Sequence, residues 1–221
     1  MSISTADYWD TYYPSLDESD RDELLGKGFS WTQWDHHGPD EGFLQQPDTA
    51  LELGSGFGVH AAYLAMKGVR TTGVDISPVQ HGRACRMWGD VPDLRFELED
   101  VRDYLAETNE TYDAIYSVWA ASWFTNPAEL VPLVRDRLNP GGVYAFSQAP
   151  AVEGCYGAQG MHVNGFKGKK GGIARWFYTP DMWNGILRNY GFLNVEAEII
   201  EAPDPEDLGT LLVRAVVPPG G

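Results

Sequence analysis

The chain has 221 residues, enough for one domain with a substantial core. Its 32 acidic residues outnumber 16 basic ones, for a net charge of −16 and a pI near 4.5, which disfavours a nucleic-acid backbone or an anionic membrane surface as partner, since both need clustered Lys and Arg. No run reaches the ~18 apolar residues of a membrane span, no signal peptide is expected at the N-terminus, and Cys85 and Cys155 stand apart without a C-x-x-C, as free thiols in a reducing cytoplasm do.

Residues 1–44 are expected to form a helical, aromatic cap. Tyr8, Trp9, Tyr12 and Tyr13 recur at helical spacing, and a second short helix is expected from Glu18 to Leu25, stopped by Gly26. The aromatics continue through Phe29, Trp31 and Trp34 to His36-His37-Gly38-Pro39. Rings at this density are either core, because aromatics bury readily, or a lid over a ligand.

A short strand starts at Thr49 and runs into Leu51-Glu52-Leu53-Gly54-Ser55-Gly56-Phe57-Gly58, before a helix from Val59 to Met66. Strand, glycine turn and helix bring backbone N–H groups and a helix N-terminus up to a ligand. Glycine suits the turn because it adopts angles closed to other residues and lets a ligand approach the backbone. A dinucleotide site has the spacing G-x-G-x-x-G; here the third glycine comes one residue early, and Glu52 stands two residues before the first.

A second strand from Arg70 to Val74 closes on Asp75, and Ser77 before Pro78 caps a helix to Trp88. Leu94 to Leu98 is a third strand, followed by Glu99-Asp100-Val101, where Asp100, with Glu99 beside it as a rival, is either a ligand acceptor or the N-cap of a helix over 101–106. Tyr112 to Val118 alternates as a fourth strand. Val118-Trp119-Ala120-Ala121-Ser122-Trp123-Phe124-Thr125 then falls at the carboxyl edge of the sheet, where open α/β sheets bind ligands. An amphipathic helix from Pro127 to Leu138 ends in Asn139-Pro140-Gly141-Gly142 and launches a strand from Val143 to Ser147.

Residues 149–174, rich in glycine and carrying His162, Lys167, Lys169 and Lys170, are expected to be a long flexible insertion, the candidate substrate lid. Its lysines serve either an anionic group on the substrate or only solvation. Thr179 caps a helix from Pro180 to Tyr190, stopped by Gly191. Leu193 to Ile200 and Thr210 to Val217 read as an antiparallel hairpin at the sheet edge, with a disordered Pro-Pro-Gly-Gly tail.

The G-x-G-x-G after Glu52, then Asp75, Asp100, Tyr112-Asp113-Ala114-Ile115 and the Asn-Pro-Gly-Gly turn resemble, in order and interval, the motifs of the class I S-adenosylmethionine (SAM)-dependent methyltransferases over residues 45–217. The resemblance implies an α/β fold: a Rossmann-like, doubly wound seven-stranded sheet, mostly parallel with the last strand antiparallel, and helices on both faces. It implies one domain, with the cap at 1–44, a SAM-binding core at 45–148, the lid insertion at 149–174, and a final helix and hairpin at 175–217. Gly54, Gly56 and Gly58 would hold the amino-acid end of SAM and the edge of its ribose, and Glu52 of the same motif is a further cofactor-binding candidate. Asp75, with Ile76 beside it, would take the ribose hydroxyls, and Asp100 and Val101 the adenine. Ser117 is a further candidate, as are Trp31 and Tyr12, whose aromatic faces would favour the sulfonium cation.

Methyl transfer from SAM is an in-line displacement at an already activated carbon, so the protein mainly positions the reactants. A general base is needed only where the acceptor keeps its proton at neutral pH. His37 and His162 are the candidates, ahead of His36 and His60; many similar proteins carry a histidine where this chain has Ser122 and Trp123. The chain lacks the N/D-P-P-Y and Pro-Cys motifs of nucleic-acid base methylation, and no ligand spacing such as H-x-x-E-H suggests a metal. The expected activity is transfer of a methyl group to an O or N nucleophile of a small molecule, a specialised metabolite, leaving S-adenosylhomocysteine. Non-methylating SAM chemistry such as cyclisation or rearrangement, and a non-catalytic SAM-binding subunit, are the alternatives. Both monomer and homodimer remain open, and the expected location is the cytoplasm.

Overall fold

The computed structural model describes residues 5–11, 21–163 and 171–220, with backbone alone for 161–163 and 171–172. Among the described residues, two short helices, α1 (Thr5–Trp9) and α2 (Arg21–Gly26), and a 3-10 turn at Glu41–Leu44 precede the sheet. Strand and helix then alternate: β1 (Thr49–Leu53), α3 (Val59–Met66), β2 (Arg70–Asp75), α4 (Pro78–Trp88), β3 (Leu94–Leu98), α5 (Val101–Glu107) and β4 (Tyr112–Val118). They are followed by α6 (Ala121–Phe124), α7 (Pro127–Arg137), β5 (Leu138–Gln148), β6 (Gly157–Val163), β7 (Gly171–Phe177), α8 (Pro180–Asn189), β8 (Leu193–Ile200) and β9 (Thr210–Val216).

Seven strands form one sheet in the order β3-β2-β1-β4-β5-β9-β8. The pairs from β3 to β5 are parallel, and β9 runs antiparallel to both β5 and β8. The antiparallel hairpin at the end of the chain lies at the sheet edge as expected, with β9 inside and β8 at the border. Among the described residues no helix is long and apolar enough to cross a membrane.

Alternation along the strands divides the core. Leu51, Leu53, Ile115, Tyr144 and Phe146 face α5, α7 and α8 through Leu105, Val131 and Trp183. Ala50, Ala114, Tyr116, Val143 and Leu212 face the other way, against Leu64 of α3 and the cap residues Phe29, Trp31 and Leu44. Trp31 is fully buried, and its indole N–H donates to the Asp40 carbonyl at 3.1 Å. A helical cap is therefore corrected over residues 27–40, which form an irregular strap held to the sheet by its rings.

Helix starts follow their capping residues. The side chains of Ser77, Asn126 and Thr179 accept from Gln80, Ala128 and Met182 N–H, each with proline in the first turn. Asp113 ties the lower edge together: its carboxylate accepts from Thr49 N–H, Thr49 Oγ1 and Asn139 Nδ2 at 3.0, 2.9 and 2.7 Å. The Asn139-Pro140-Gly141-Gly142 turn is consequently an irregularity within β5, not a break before it, with Tyr112 opposite Leu138 and Ala114 opposite Val143. In the C-terminal tail, the Pro218 carbonyl accepts from Gly141 N–H at 3.3 Å.

The insertion also differs from expectation. Residues 157–163 and 171–177 pair as an antiparallel hairpin, Gly157 opposite Phe177 and Val163 opposite Gly171. Lys167, Lys169 and Lys170 lie outside the described residues.

Candidate active site

The loop from Gly54 to Gly58 sits at the carboxyl end of β1. Gly54 and Ser55 N–H both donate to the Val74 carbonyl, at 2.8 and 3.0 Å, which ties the loop to the end of β2. All three glycines are left-handed, with φ of 75°, 54° and 84°, but they are needed for different reasons. A Cβ on Gly54 would lie 2.8 Å from Ala120 Cβ, and one on Gly58 2.5 Å from the Phe96 ring. A Cβ on Gly56 would meet nothing within 4 Å. Gly54 and Gly58 thus serve close packing, while Gly56 presents an open face on which a ligand can sit.

Asp75 fixes that face. Its Oδ2 accepts from Gly56 N–H and its Oδ1 from Ser77 N–H, both at 2.8 Å. Burial pushes its carboxyl above the ordinary value, opposed by these two backbone donors. Each carboxylate oxygen retains a second acceptor site, so ribose hydroxyls can be accommodated without breaking the existing bonds. Ile76 is half-buried beside it. The N-terminal segment closes over this edge: Asp10 accepts from Ser77 Oγ at 2.6 Å, Gln80 donates to the Trp9 carbonyl at 3.1 Å, and the Trp9 ring meets Phe124 at 4.7 Å.

Asp100 is the N-cap of α5, accepting from Arg102 N–H at 2.9 Å, and is ion-paired with the Arg102 guanidinium at 2.9 Å. Arg102 holds its carboxyl below the ordinary value. Val101, buried at the head of the helix, carries one of the N–H groups that lack an intrahelical acceptor.

Glu52 faces the strap side of the sheet, opposite Tyr116 on β4. It is 2% exposed; His60 Nδ1 lies 3.6 Å from Oε1, and Oε2 has no hydrogen-bond partner. Burial raises its pKa, with His60 the main opposing influence.

Three further expectations change. Ser117 is fully buried, donating to the Leu53 carbonyl at 2.9 Å and accepting from Ser122 N–H at 3.1 Å, so its side chain is a clamp between β1 and α6. Trp31 is core, as described, with no face left for a cofactor. His37 binds the Glu201 carbonyl through Nε2 at 2.7 Å. Glu201 follows β8, four strands from β1, or roughly 19 Å at ordinary strand spacing. His37 also lines a cavity of about 270 Å³ with Lys27, Tyr63 and Lys67, to which the glycine loop and Asp75 contribute nothing. Tyr12 lies outside the described residues, and of His162 only the backbone, opposite Gly172, is described.

The site has parts that sequence reasoning missed. Trp119, at the end of β4, has φ of 51°, a strained conformation for a bulky residue. It is held by bonds from its backbone N–H to Ser147 O and from its indole to Trp31 O, both at 2.9 Å. Behind it a wall of rings runs through Trp123, Phe124 and Phe177, with Arg175 of β7 against two of them. The aromatic run from Trp119 to Phe124 was visible in the sequence; the contribution of β7 was not.

A family model described as a methyltransferase domain matches residues 37–197. The chain is 28% identical over 159 residues to a trans-aconitate 2-methyltransferase of Deinococcus radiodurans, covering 66% of this chain and 59% of that protein. The chain spans less than two thirds of the length of the curated relatives it matches. Among solved structures, it is similar to Haemonchus contortus phosphoethanolamine N-methyltransferase 2 in complex with SAM, with a TM-score of 0.66, 14% identity, and coverage of 98% of this chain and 60% of that one. It is also similar to the [4+2]-cyclase SpnF, with a TM-score of 0.60, 16% identity, and coverage of 92% and 82%. These two likenesses establish the fold.

Proposed function

Because the chain belongs to the methyltransferase domain family, we propose that it binds SAM at the β1–α3 loop and transfers the methyl group to an O or N nucleophile of a small molecule. A specialised metabolite in the cytoplasm is the acceptor this reading favours. The observation that carries it is the pairing of an open glycine face at Gly56 with the buried Asp75 carboxylate, joined by one hydrogen bond at the carboxyl ends of β1 and β2. In this reading Asp75 holds the ribose, Gly54 to Gly58 admit the amino-acid end, Asp100 and Val101 meet the adenine, and Glu52 supports the loop from beneath. The likeness to trans-aconitate 2-methyltransferases supports a small acceptor.

In the reaction, a lone pair of the acceptor forms a bond to the methyl carbon as the carbon–sulfur bond breaks. The electron pair passes to sulfur, giving neutral S-adenosylhomocysteine, and any acceptor proton leaves to solvent or to a base. The rings of Trp119, Trp123 and Phe124 exclude water from this edge, and positioning carries most of the acceleration. His162 remains the candidate base, on an arm whose second strand packs on α6.

The test is calorimetric titration with SAM, followed by incubation with methyl-labelled SAM and a small-molecule extract of the source cells. Wild type should bind SAM, Asp75→Ala should lose it, and label should move to a small molecule with S-adenosylhomocysteine formed. Label confined to macromolecules would overturn the reading. SAM left intact while an extract compound is rearranged would favour the second reading, non-methylating chemistry, to which the likeness to a cyclase lends its weight.

A further inference from the structure

At the carboxyl end of β5, Arg175 presents a cation that no described residue answers with a hydrogen bond or ion pair. Its guanidinium lies 5.1 Å from the ring centres of both Trp123 and Phe177. The side chain is half-buried, and its Nε is removed from solvent with no acceptor. It makes no hydrogen bond or ion pair among the described residues. Arg21, Arg95, Arg102 and Arg214 each hold a carboxylate. Other arginines also lack a carboxylate, Arg137 among them, which donates to the Leu105 carbonyl instead; Arg175 combines that lack with an Nε removed from solvent and a guanidinium held against two rings.

Contact with ring faces limits where a guanidinium can sit but satisfies none of its N–H groups. A donor kept dry and unmatched is unfavourable, so a partner is to be sought outside the chain. Nearby polar groups are similarly incomplete. Gln148 donates through Nε2 to the Trp176 carbonyl of β7, while its Oε1 has no partner, and Trp123 Nε1 has none either. These groups belong to the ring wall beside Trp119, on the carboxyl edge that carries the glycine loop.

Resting on the methyl-transfer reading above, we propose that the acceptor carries a carboxylate and that Arg175 receives it. The planar fork of arginine matches a carboxylate through two parallel N–H···O bonds. The two ring contacts hold that fork in place before the acceptor arrives, which reduces the ordering needed on binding. Arg175 is thus a specificity-determining residue supplied by the hairpin, whereas the glycine loop and Asp75 serve the cofactor.

The experiment separates the extract by anion exchange before assay with methyl-labelled SAM. The acceptor activity should be retained by the resin, and phosphatase treatment should not release it. With the retained fraction as substrate, Arg175→Gln should raise KM roughly 10- to 100-fold, with kcat and SAM affinity within about twofold of wild type. Arg175→Lys, which keeps the charge but not the fork, should fall between them. Unchanged SAM affinity in both variants shows that they are folded. An acceptor found in the unretained fraction, one released by phosphatase, or an equal KM for wild type and Arg175→Gln would overturn the proposal while leaving methyl transfer intact. Absence of label in every small-molecule fraction would overturn both.

Discussion

Replacing Gly56 and Gly58 by alanine, one at a time, separates the ligand-facing glycine from the packing one. Both positions are left-handed, so each new Cβ incurs a backbone cost of about 1–2 kcal/mol. At Gly56 that is the whole cost, because the methyl enters open space. At Gly58 the methyl would stand 2.5 Å from the Phe96 ring and 3.2 Å from Trp88, and this overpacking adds about 1–3 kcal/mol. At about 2–4 °C per kcal/mol for a chain of this size, Gly56→Ala should lower Tm by roughly 2–8 °C and Gly58→Ala by roughly 4–20 °C. SAM affinity should fall in the opposite sense. Gly56→Ala places its methyl where the ligand approaches and should weaken SAM binding by about tenfold or more, or ~1.4 kcal/mol. Thermal melts without ligand and calorimetric titration of each folded variant measure both quantities. Wild-type SAM affinity in Gly56→Ala would refute the assignment of the open face to the ligand, and equal Tm losses in the two variants would refute the packing argument.

Asp113→Ala removes three hydrogen bonds at the lower edge of the sheet and should lower stability by about 2–4 kcal/mol; in the folded protein, titration should find SAM affinity unchanged. Arg102→Gln removes the partner that depresses the Asp100 carboxyl. A depressed carboxylate contributes stability above its ordinary pKa of 3.8 and loses it as pH falls through the folded value. The stability gap between wild type and Arg102→Gln should therefore be largest at neutral pH, no more than about 1 kcal/mol for this partly exposed pair, and the corresponding Tm difference should close below about pH 4 in melts across pH 3–7. His37→Gln should leave the rate of methyl transfer to the extract acceptor within about twofold, since His37 is tied to the far side of the sheet; a large loss would return it to the site.

Most of the main sheet was legible because its signals are local. Ser77, Thr179 and the glycine turn act within a few residues of themselves, so the boundaries of α3, α4 and α8 follow directly from the residue order. What was hidden depends on distant partners. The glycines in β6 and β7 suppress any strand pattern, and only their mutual pairing makes them a hairpin. Helix α6 has four residues, too few to show a period. Trp31 has the same composition whether it is core or lid; its burial beneath the strap, with Asp40 as partner, decides. Asp100 similarly fits both a cap and a ligand acceptor, and its cap bond and Arg102 emerge only in three dimensions. Arg175 gave no signal, because its meaning lies in two rings and a missing carboxylate.

The placement of β9 between β5 and β8 bears on the order in which the sheet can be completed. Among the described residues, 210–216 are the only strand partner of β8 and one of the two strand partners of β5. During synthesis, strands β1 to β5 can assemble early, but β8 then has nothing to pair with and β5 keeps an unpaired apolar flank until the final strand emerges. That interval exposes a sheet edge open to wrong partners. Slow emergence or clipping of this one segment would therefore be felt as aggregation of an otherwise finished domain, ahead of any effect on the glycine loop at the other side of β4.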